Sequence, residues 1–297
     1  MATFKELVDE VLMRLSGYGV RNQSLTHLES AITSTTEEIT LNSTDSVGRG
    51  VIEIDDELIW VNTYDRSSNV ITVPPYGRGF QGTTAASHDA GTMVTINPNF
   101  TRTAIKNALN DAVQDMASKL FAVRTATFDW SPAINTYALP ADVDAVLAVS
   151  FEAIGATKEW VPVRKYRIDK SANVTALGST KSITINQYVD AGATVQITYA
   201  TKPELFESAS DDFETTTGFP VSCKDVAVLG AAYHLLSFVE SGRLSYVSPE
   251  ASVQSDKIQF GSGSSLAKYV YALYQQRLQS EADKLQLEYP IRIRYSH

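Results

Sequence analysis

The sequence predicts an α+β protein: a discontinuous four-helix bundle with two antiparallel β subdomains, one inserted between helices 1 and 2, and an extended C-terminal tail. Three observations predict it. Apolar residues recur at helical spacing in four separated stretches, the segments between them alternate apolar and polar residues, and Pro290 is followed by a short alternating terminus. Helices of such lengths are marginal alone in water, so each must cover its apolar face with the others. The expected boundaries are 1–34, 97–124 and 218–290 for the helical core, 35–96 for the inserted β module, 125–203 for the second β subdomain, 204–217 for an acidic linker and 291–297 for the tail.

The first helix opens on Thr3 and Glu6, a T-x-x-E capping box, and places Phe4, Leu7, Val8, Val11, Leu12 and Leu15 on one face before Gly17 and Gly19 end it. A polar stretch to about Ser34 leads into the β module. There Ile52 and Ile54 alternate with Val51, Glu53 and Asp55, the period of half-buried antiparallel strands. Asn97 or Asn99 caps the second helix, whose stripe is Ile105, Leu109, Ala112, Val113, Met116 and Leu120.

From Thr125 to about Thr201 strands return, around Phe128/Trp130, Leu147/Val149/Phe151, Trp160–Val163, Ile183/Ile185 and Val195/Ile197/Tyr199. Pro132, Pro140, Gly155, Gly178 and Gly192 punctuate a sandwich or partial barrel. The third helix begins near Ser222, with Asp225 as capping partner and Val226, Leu229, Tyr233, Leu236 and Val239 as its stripe. A Ser/Gly-rich loop, 241–265, precedes the last helix, with Leu266, Val270, Leu273, Tyr274, Leu278, Ala282 and Leu285 inward. Tyr269, Tyr271 and Tyr274 read as packing rather than a base-stacking platform, because they lie on an amphipathic helix and not in a basic groove.

Composition excludes several classes of function. Hydrophobic and charged contents of 43% and 20% are those of a folded protein. The longest apolar run, Val226–Val239, is too short for a bilayer, and Glu6 interrupts any export signal. A single cysteine, Cys223, allows no internal disulfide and no Cys-based zinc site, and the four histidines show no metal-ligand spacing. A net charge of −9 argues against a surface that grips nucleic acid, yet suits a conduit past which DNA slides.

Gly77, Gly79 and Gly82 satisfy G-x-G-x-x-G, but Pro74-Pro75 precede them and a strand follows where a nucleotide loop needs a helix, so no cofactor is expected. Asp55-Asp56-Glu57 read as a solvated turn, and His88 as a residue that steadies its own loop through a backbone hydrogen bond. There is no G-x-S-x-G elbow and no P-loop. The sequence offers no enzyme and no catalytic, cofactor or metal residues.

After Pro290, Ile291, Ile293 and Tyr295 fall on one side of an extended segment and Arg292 and Arg294 on the other. Five residues cannot be stable as a lone strand, so the tail must join an edge strand of its own subunit or of a partner.

Ile52–Val61, Asn69–Val73 and the string Arg78-Gly79-x-x-Gly82-Thr83-Thr84-Ala85-x-x-His88-x-x-Gly91 resemble a β module that recurs in virion proteins of tailed phages. The order helix, β insert, helix, β subdomain, helix, long loop, helix and extended tail, with Tyr274–Pro290 as terminal helix, resembles the head-to-tail adaptors, or head-completion proteins, of those phages. That resemblance implies a structural ring protein of the phage neck, commonly of twelve copies, bound to the portal on one side and to a tail-side protein on the other, with DNA passing unread and no membrane contact. It implies portal docking by the tail, residues 288–297, with Ile291, Arg292, Ile293, Arg294 and Tyr295 as the gripping strand. Another tail component, of tube, baseplate or fibre attachment, is the competing expectation, and a carbohydrate-active protein a remote one.

Overall fold

The computed structural model describes residues 2–18, 23–155, 158–244 and 262–290. They form a mixed α+β structure with four antiparallel sheets. The helices are α1 (Phe4–Leu15), α2 (Arg102–Met116), α3 (Val174–Leu177), α4 (Phe213–Thr217), α5 (Lys224–Leu244) and α6 (Ser262–Glu288). By its internal contacts the chain divides into two compact units, one of Met1–Phe4, Val113–Val226 and Gln275–His297, the other of Lys5–Ala112 and Ala227–Tyr274.

The second of these units carries two small sheets. One has the order β1-β7-β3-β4, from Ser24–His27, Met93–Ile96, Gly50–Ile54 and Glu57–Val61; the other is β2-β6-β5, from Glu38–Thr40, Val70–Thr72 and Thr63–Asp65. β3 and β4 form a hairpin with Ile54 opposite Glu57, and Asp55 turns it at φ 51°. Both sheets share one apolar core, with Ile39, Leu41, Ile52, Ile54, Ile59, Val61, Ile71 and Val94 all but inaccessible. β1 lies in the polar stretch that the sequence assigns to no element. Of its four residues only Thr26 is buried, and Leu25 is 60% exposed, so apolar alternation could not announce it.

Helix α2 begins at Arg102, later than Asn97 or Asn99 would start it. Thr101 is its cap: Oγ1 accepts from Ala104 N at 3.1 Å, and the Glu53 carboxylate of β3 accepts from Arg102 N at 2.6 Å. Asn97 instead turns the chain at φ 50°. In this unit the buried side chains of the helices include Leu7, Val8, Val11 and Leu15 of α1, Ile105, Leu109 and Ala112 of α2, Val228, Ala231 and Leu236 of α5, and Tyr274 of α6. Each fully buried aliphatic contributes about 1.5–3 kcal/mol over exposure. At Gly230 α5 lies close against its neighbours, since a Cβ there would lie 2.8 Å from Ala112 Cβ and 3.1 Å from the Tyr274 ring.

The other unit holds the second pair of sheets, β11-β10-β14-β8 (Trp160–Pro162, Ala145–Glu152, Thr194–Thr201, Ala122–Asp129) and β12-β13-β9 (Tyr166–Asp169, Ser182–Ile185, Thr136–Ala138). Trp130, Val149, Phe151, Ile183, Val195 and Ile197 form a core common to both sheets. Stretch 204–217 is more than a linker. Asp211 accepts from Glu207 N and Ser208 N at 2.8 Å, and Asp212 caps α4 through Glu214 N and Thr215 N. Phe206 stacks on Phe4 at 4.5 Å. The third helix of the sequence reading opens as a short 3-10 turn, Val221–Cys223, before α5. Asp225 does not cap it with Ser222: it pairs with Arg277 of α6 at 2.8 Å, while Ser222 Oγ donates to Glu281 at 2.7 Å. The predicted 241–265 loop is helical at both ends, through Leu244 and from Ser262, and 245–261 lie outside the described residues.

Candidate functional site

The Arg78–Gly91 string closes over the β3–β4 hairpin, and its centre is a carboxylate. Glu57 begins β4, and its side chain is 1% exposed. One oxygen accepts from Arg78 Nε at 2.8 Å and Gly79 N at 3.0 Å; the other accepts from Arg78 Nη2 at 3.0 Å and Ala86 N at 3.1 Å and sits 2.9 Å from His88 Nε2. The hydrogen bonds from Arg78, Ala86, His88 and Gly79 outweigh the effect of burial and hold this carboxyl down at about 2. The turn 55–57 is therefore not simply solvated. Its first two residues face outward and its third is a buried anchor.

Arg78 spends all five of its N–H groups. Besides the fork on Glu57, Nη1 donates to Thr33 O at 2.6 Å and Thr36 O at 3.0 Å, and Nη2 donates to Ala86 O at 2.7 Å. His88 extends the network, with Nδ1 2.9 Å from Asp55 and backbone bonds exchanged with Ile32. Its steadying contacts thus run through the ring to two carboxylates as well as through the backbone.

The glycines and threonine of the string have separate tasks. Gly79 turns at φ 60°, where a Cβ would stand 2.7 Å from Thr83 O. Gly82 and Gly91 also take positive φ, and Gly91 N donates to Leu28 O at 2.8 Å. Thr83 Oγ1 accepts from Leu58 N and donates to Phe80 O, both at 3.0 Å. So Arg78, Gly79, Thr83 and His88 meet around β4, while Gly82 and Gly91 shape the path between them. Glu57, Asp55 and Ala86 complete the network, and sequence reasoning missed their part in it: an acid at the head of an apolar run, Glu57-Leu58-Ile59, is the one signal that could have marked the anchor.

A second charged cluster joins the hairpin to the helices of the same unit. Asp56 pairs with Lys106 at 2.8 Å and Arg102 at 3.3 Å, and Arg102 also reaches Asp9 at 2.7 Å. Beneath it, burial lifts the Glu53 carboxyl from 4.5 to about 7 against the pull of Arg102. In the other unit, Cys223 is buried and its thiol is pushed up to about 11, chiefly by burial and then by Glu281, which removes thiolate chemistry at neutral pH.

Among the described residues no group of His, Cys, Asp and Glu could hold a metal ion. Asp55, Glu57 and His88 come together, but Arg78 and the backbone amides already fill the Glu57 oxygens. A cleft of about 230 Å³ in the second β region is lined by Leu139, Val146, Ile168, Lys170 and Lys181. Lys170 Nζ donates to Asp144 O, and Lys181 Nζ to Ala141 O and Val143 O, so backbone carbonyls hold both ammonium groups. Tyr233, Tyr271 and Tyr274 pack against one another at 4.8 and 6.3 Å between centroids, on α5 and α6. The tail residues Ile291, Arg292, Ile293, Arg294 and Tyr295 lie outside the described residues.

The buried side chains of the loop network, Glu57, Arg78 and His88, are turned inward on their own module, an arrangement that fixes shape. No helix among the described residues is long and apolar enough to cross a membrane. No curated protein is found to match the chain. The model of one family, the SU10 adaptor protein, matches residues 83–294; it thus takes in both sheets of the second β region and helices α2, α5 and α6, and leaves most of the inserted module outside. A match over well more than half of the sequence decides the family: the chain belongs to the SU10 adaptor proteins, structural proteins of the phage adaptor type.

Proposed function

We propose that this chain is a head-to-tail adaptor that forms a ring at the phage neck, joins the portal to the tail and lets DNA pass through. The observation that carries the reading is the adaptor family match across 83–294, spanning the helices and the second β region together. In this reading α1, α2, α5 and α6 form a discontinuous four-helix bundle that packs sideways on its neighbours in a ring of about twelve, the number that the resemblance to phage adaptors implies. The tail strand Ile291–Tyr295 grips the portal by strand addition. The β modules face outward or toward the tail-side protein. The net charge of −9 keeps the lumen from holding DNA. The protein works by fit, without catalysis or cofactor, and its place is the virion.

Electron microscopy of the purified chain mixed with its portal tests this. Rings stacked coaxially on the portal are expected. A chain that stays monomeric beside assembled portals would refute the reading. Removing residues 291–297 is expected to abolish portal capture with an unchanged melting temperature; undiminished capture would remove the tail from the interface.

A further inference from the structure

Strand β8 ends its sheet, and its outer edge is open over one short window. Trp130 N donates to Ala193 O, and Trp130 O accepts from Gly192 N, so even-numbered residues face β14. By the alternation of an antiparallel ladder, the N–H and C=O groups of odd-numbered residues then point away from it. The window is closed at both ends. Val123 N donates to Gly218 O at 3.4 Å, while the Tyr137 hydroxyl accepts from Ser131 N at 2.6 Å and donates to Ser131 O at 3.1 Å. Between them the backbone groups of Thr125, Thr127 and Asp129 have no hydrogen-bond partner among the described residues. Proteins guard such edges with short strands, lysine, proline or a bulge. The opposite edge of the sheet, β11, has three residues and a proline, Pro162. β8 has eight residues and none of these guards.

We infer that this window docks a second copy of the same chain, β8 pairing antiparallel with β8 about a two-fold axis at Thr127. The argument is self-complementarity. The open groups are centred on Thr127, as a two-fold pair requires. Thr127 would lie opposite its own counterpart and Thr125 opposite Asp129, and these pairs would use every open N–H and C=O on both strands. The side chains agree with that register. On the exposed face Thr125 would meet Asp129 of the second copy at each end, a hydroxyl beside a carboxylate. On the other face half-buried Ala126 would meet Phe128 of the second copy, small against large, and both already pack on the β core. The two Asp129 carboxylates would stand at opposite ends of the pair, so like charges stay apart. A two-fold contact uses one patch on both subunits and closes on itself, so it cannot build a ring. The pair therefore belongs to the free protein, and it does not rest on the portal reading.

Sedimentation velocity and amide hydrogen exchange on the full chain, with no portal present, test the inference. A monomer–dimer equilibrium is expected, and the amides of Thr125, Thr127 and Asp129 should exchange at least about tenfold faster once dilution separates the copies. Thr127→Lys sets two ammonium groups side by side on the axis. It should weaken pairing by about fivefold at low salt and by less at high salt, at an unchanged melting temperature. Thr127→Pro removes an outward N–H and leaves the β14 ladder whole, so it should abolish the dimer. A chain that stays monomeric at every concentration would overturn the inference. A dimer as tight in both variants as in the parent would overturn it by placing the contact on another face. Protection of the three amides that survives dilution to monomer would do so by showing the edge covered within one chain.

Discussion

At the scale of the residue, Glu57 shows how a buried charge becomes a structural part. Its carboxylate sits under an apolar hairpin, satisfied by an arginine fork, two backbone amides and an imidazole. Removing one partner strands the rest, so Arg78→Ala is expected to cost about 3–5 kcal/mol in urea denaturation. Arg78→Lys should recover only part of it, because a point charge cannot reproduce the fork or reach Thr33, Thr36 and Ala86 together. A loss under 1 kcal/mol for the alanine variant would show the network to be idle. Glu57 ionises more readily when folded, so its contribution is present above 4.5 and fades as pH falls toward about 2. Glu53 has the opposite sign. Its folded pKa of about 7 lies above 4.5, so between those values the unfolded chain loses the proton first and stability falls as pH rises. Glu53→Gln is expected to flatten that decline between pH 5 and pH 8, measured by urea midpoints, and a slope equal to the parent's would refute the assignment. None of this pairing is legible in sequence. Arg78 and Glu57 stand 21 positions apart, and His88 and Glu57 31; what could be read was the glycine spacing, which fixes a turn and says nothing about what the turn encloses.

At the scale of the element, helices were the legible part, since an apolar stripe depends only on local spacing. Ile105, Leu109, Ala112, Val113, Met116 and Leu120 are buried as the periodicity requires. Ends were less legible, because local candidates compete and partners also come from elsewhere in the fold: Thr101 caps α2 where Asn97 and Asn99 also qualified, Glu53 reaches that end from a strand, and Asp225 answers Arg277 rather than its own helix. Strand β1 escaped for a different reason, since most of its side chains face solvent. Gly230 makes an element-scale prediction. In an isolated helix Ala would gain about 1 kcal/mol over Gly. Here a methyl group would meet Ala112 at 2.8 Å and the Tyr274 ring at 3.1 Å. Gly230→Ala should therefore destabilise by about 1–3 kcal/mol, the range for overpacking, as read by thermal unfolding. A stabilised variant would mean that α5 can shift away at no cost.

At the scale of the whole molecule, the inserted module stands apart from the rest by its bookkeeping of contacts. Its apolar core runs from Leu28 to Ile96, and its loop network from Thr33 to His88, and among the described residues neither borrows a side chain from beyond. The family match begins at Thr83 and passes over most of it. A fragment of residues 23–101 is therefore expected to fold alone, with dispersed amide resonances and a cooperative melt, at lower stability because Glu53 and Asp56 lose Arg102 and Lys106 as helical partners. A collapsed, uncooperative fragment would show that the helices are needed to shape it.

The helices have the opposite habit, and it bears on how the chain is made. Asp9 waits for Arg102, Ala2 for Asp212, and Lys119 for Gln279. On a ribosome the first β module has all its partners before α2 is complete, whereas Ala112 of α2 meets Gly230 and Tyr274 only after α5 and much of α6 have emerged. Until then the nascent chain carries a β-rich bead ahead of a helix with part of its apolar face uncovered, and that face is where a holding chaperone would bind.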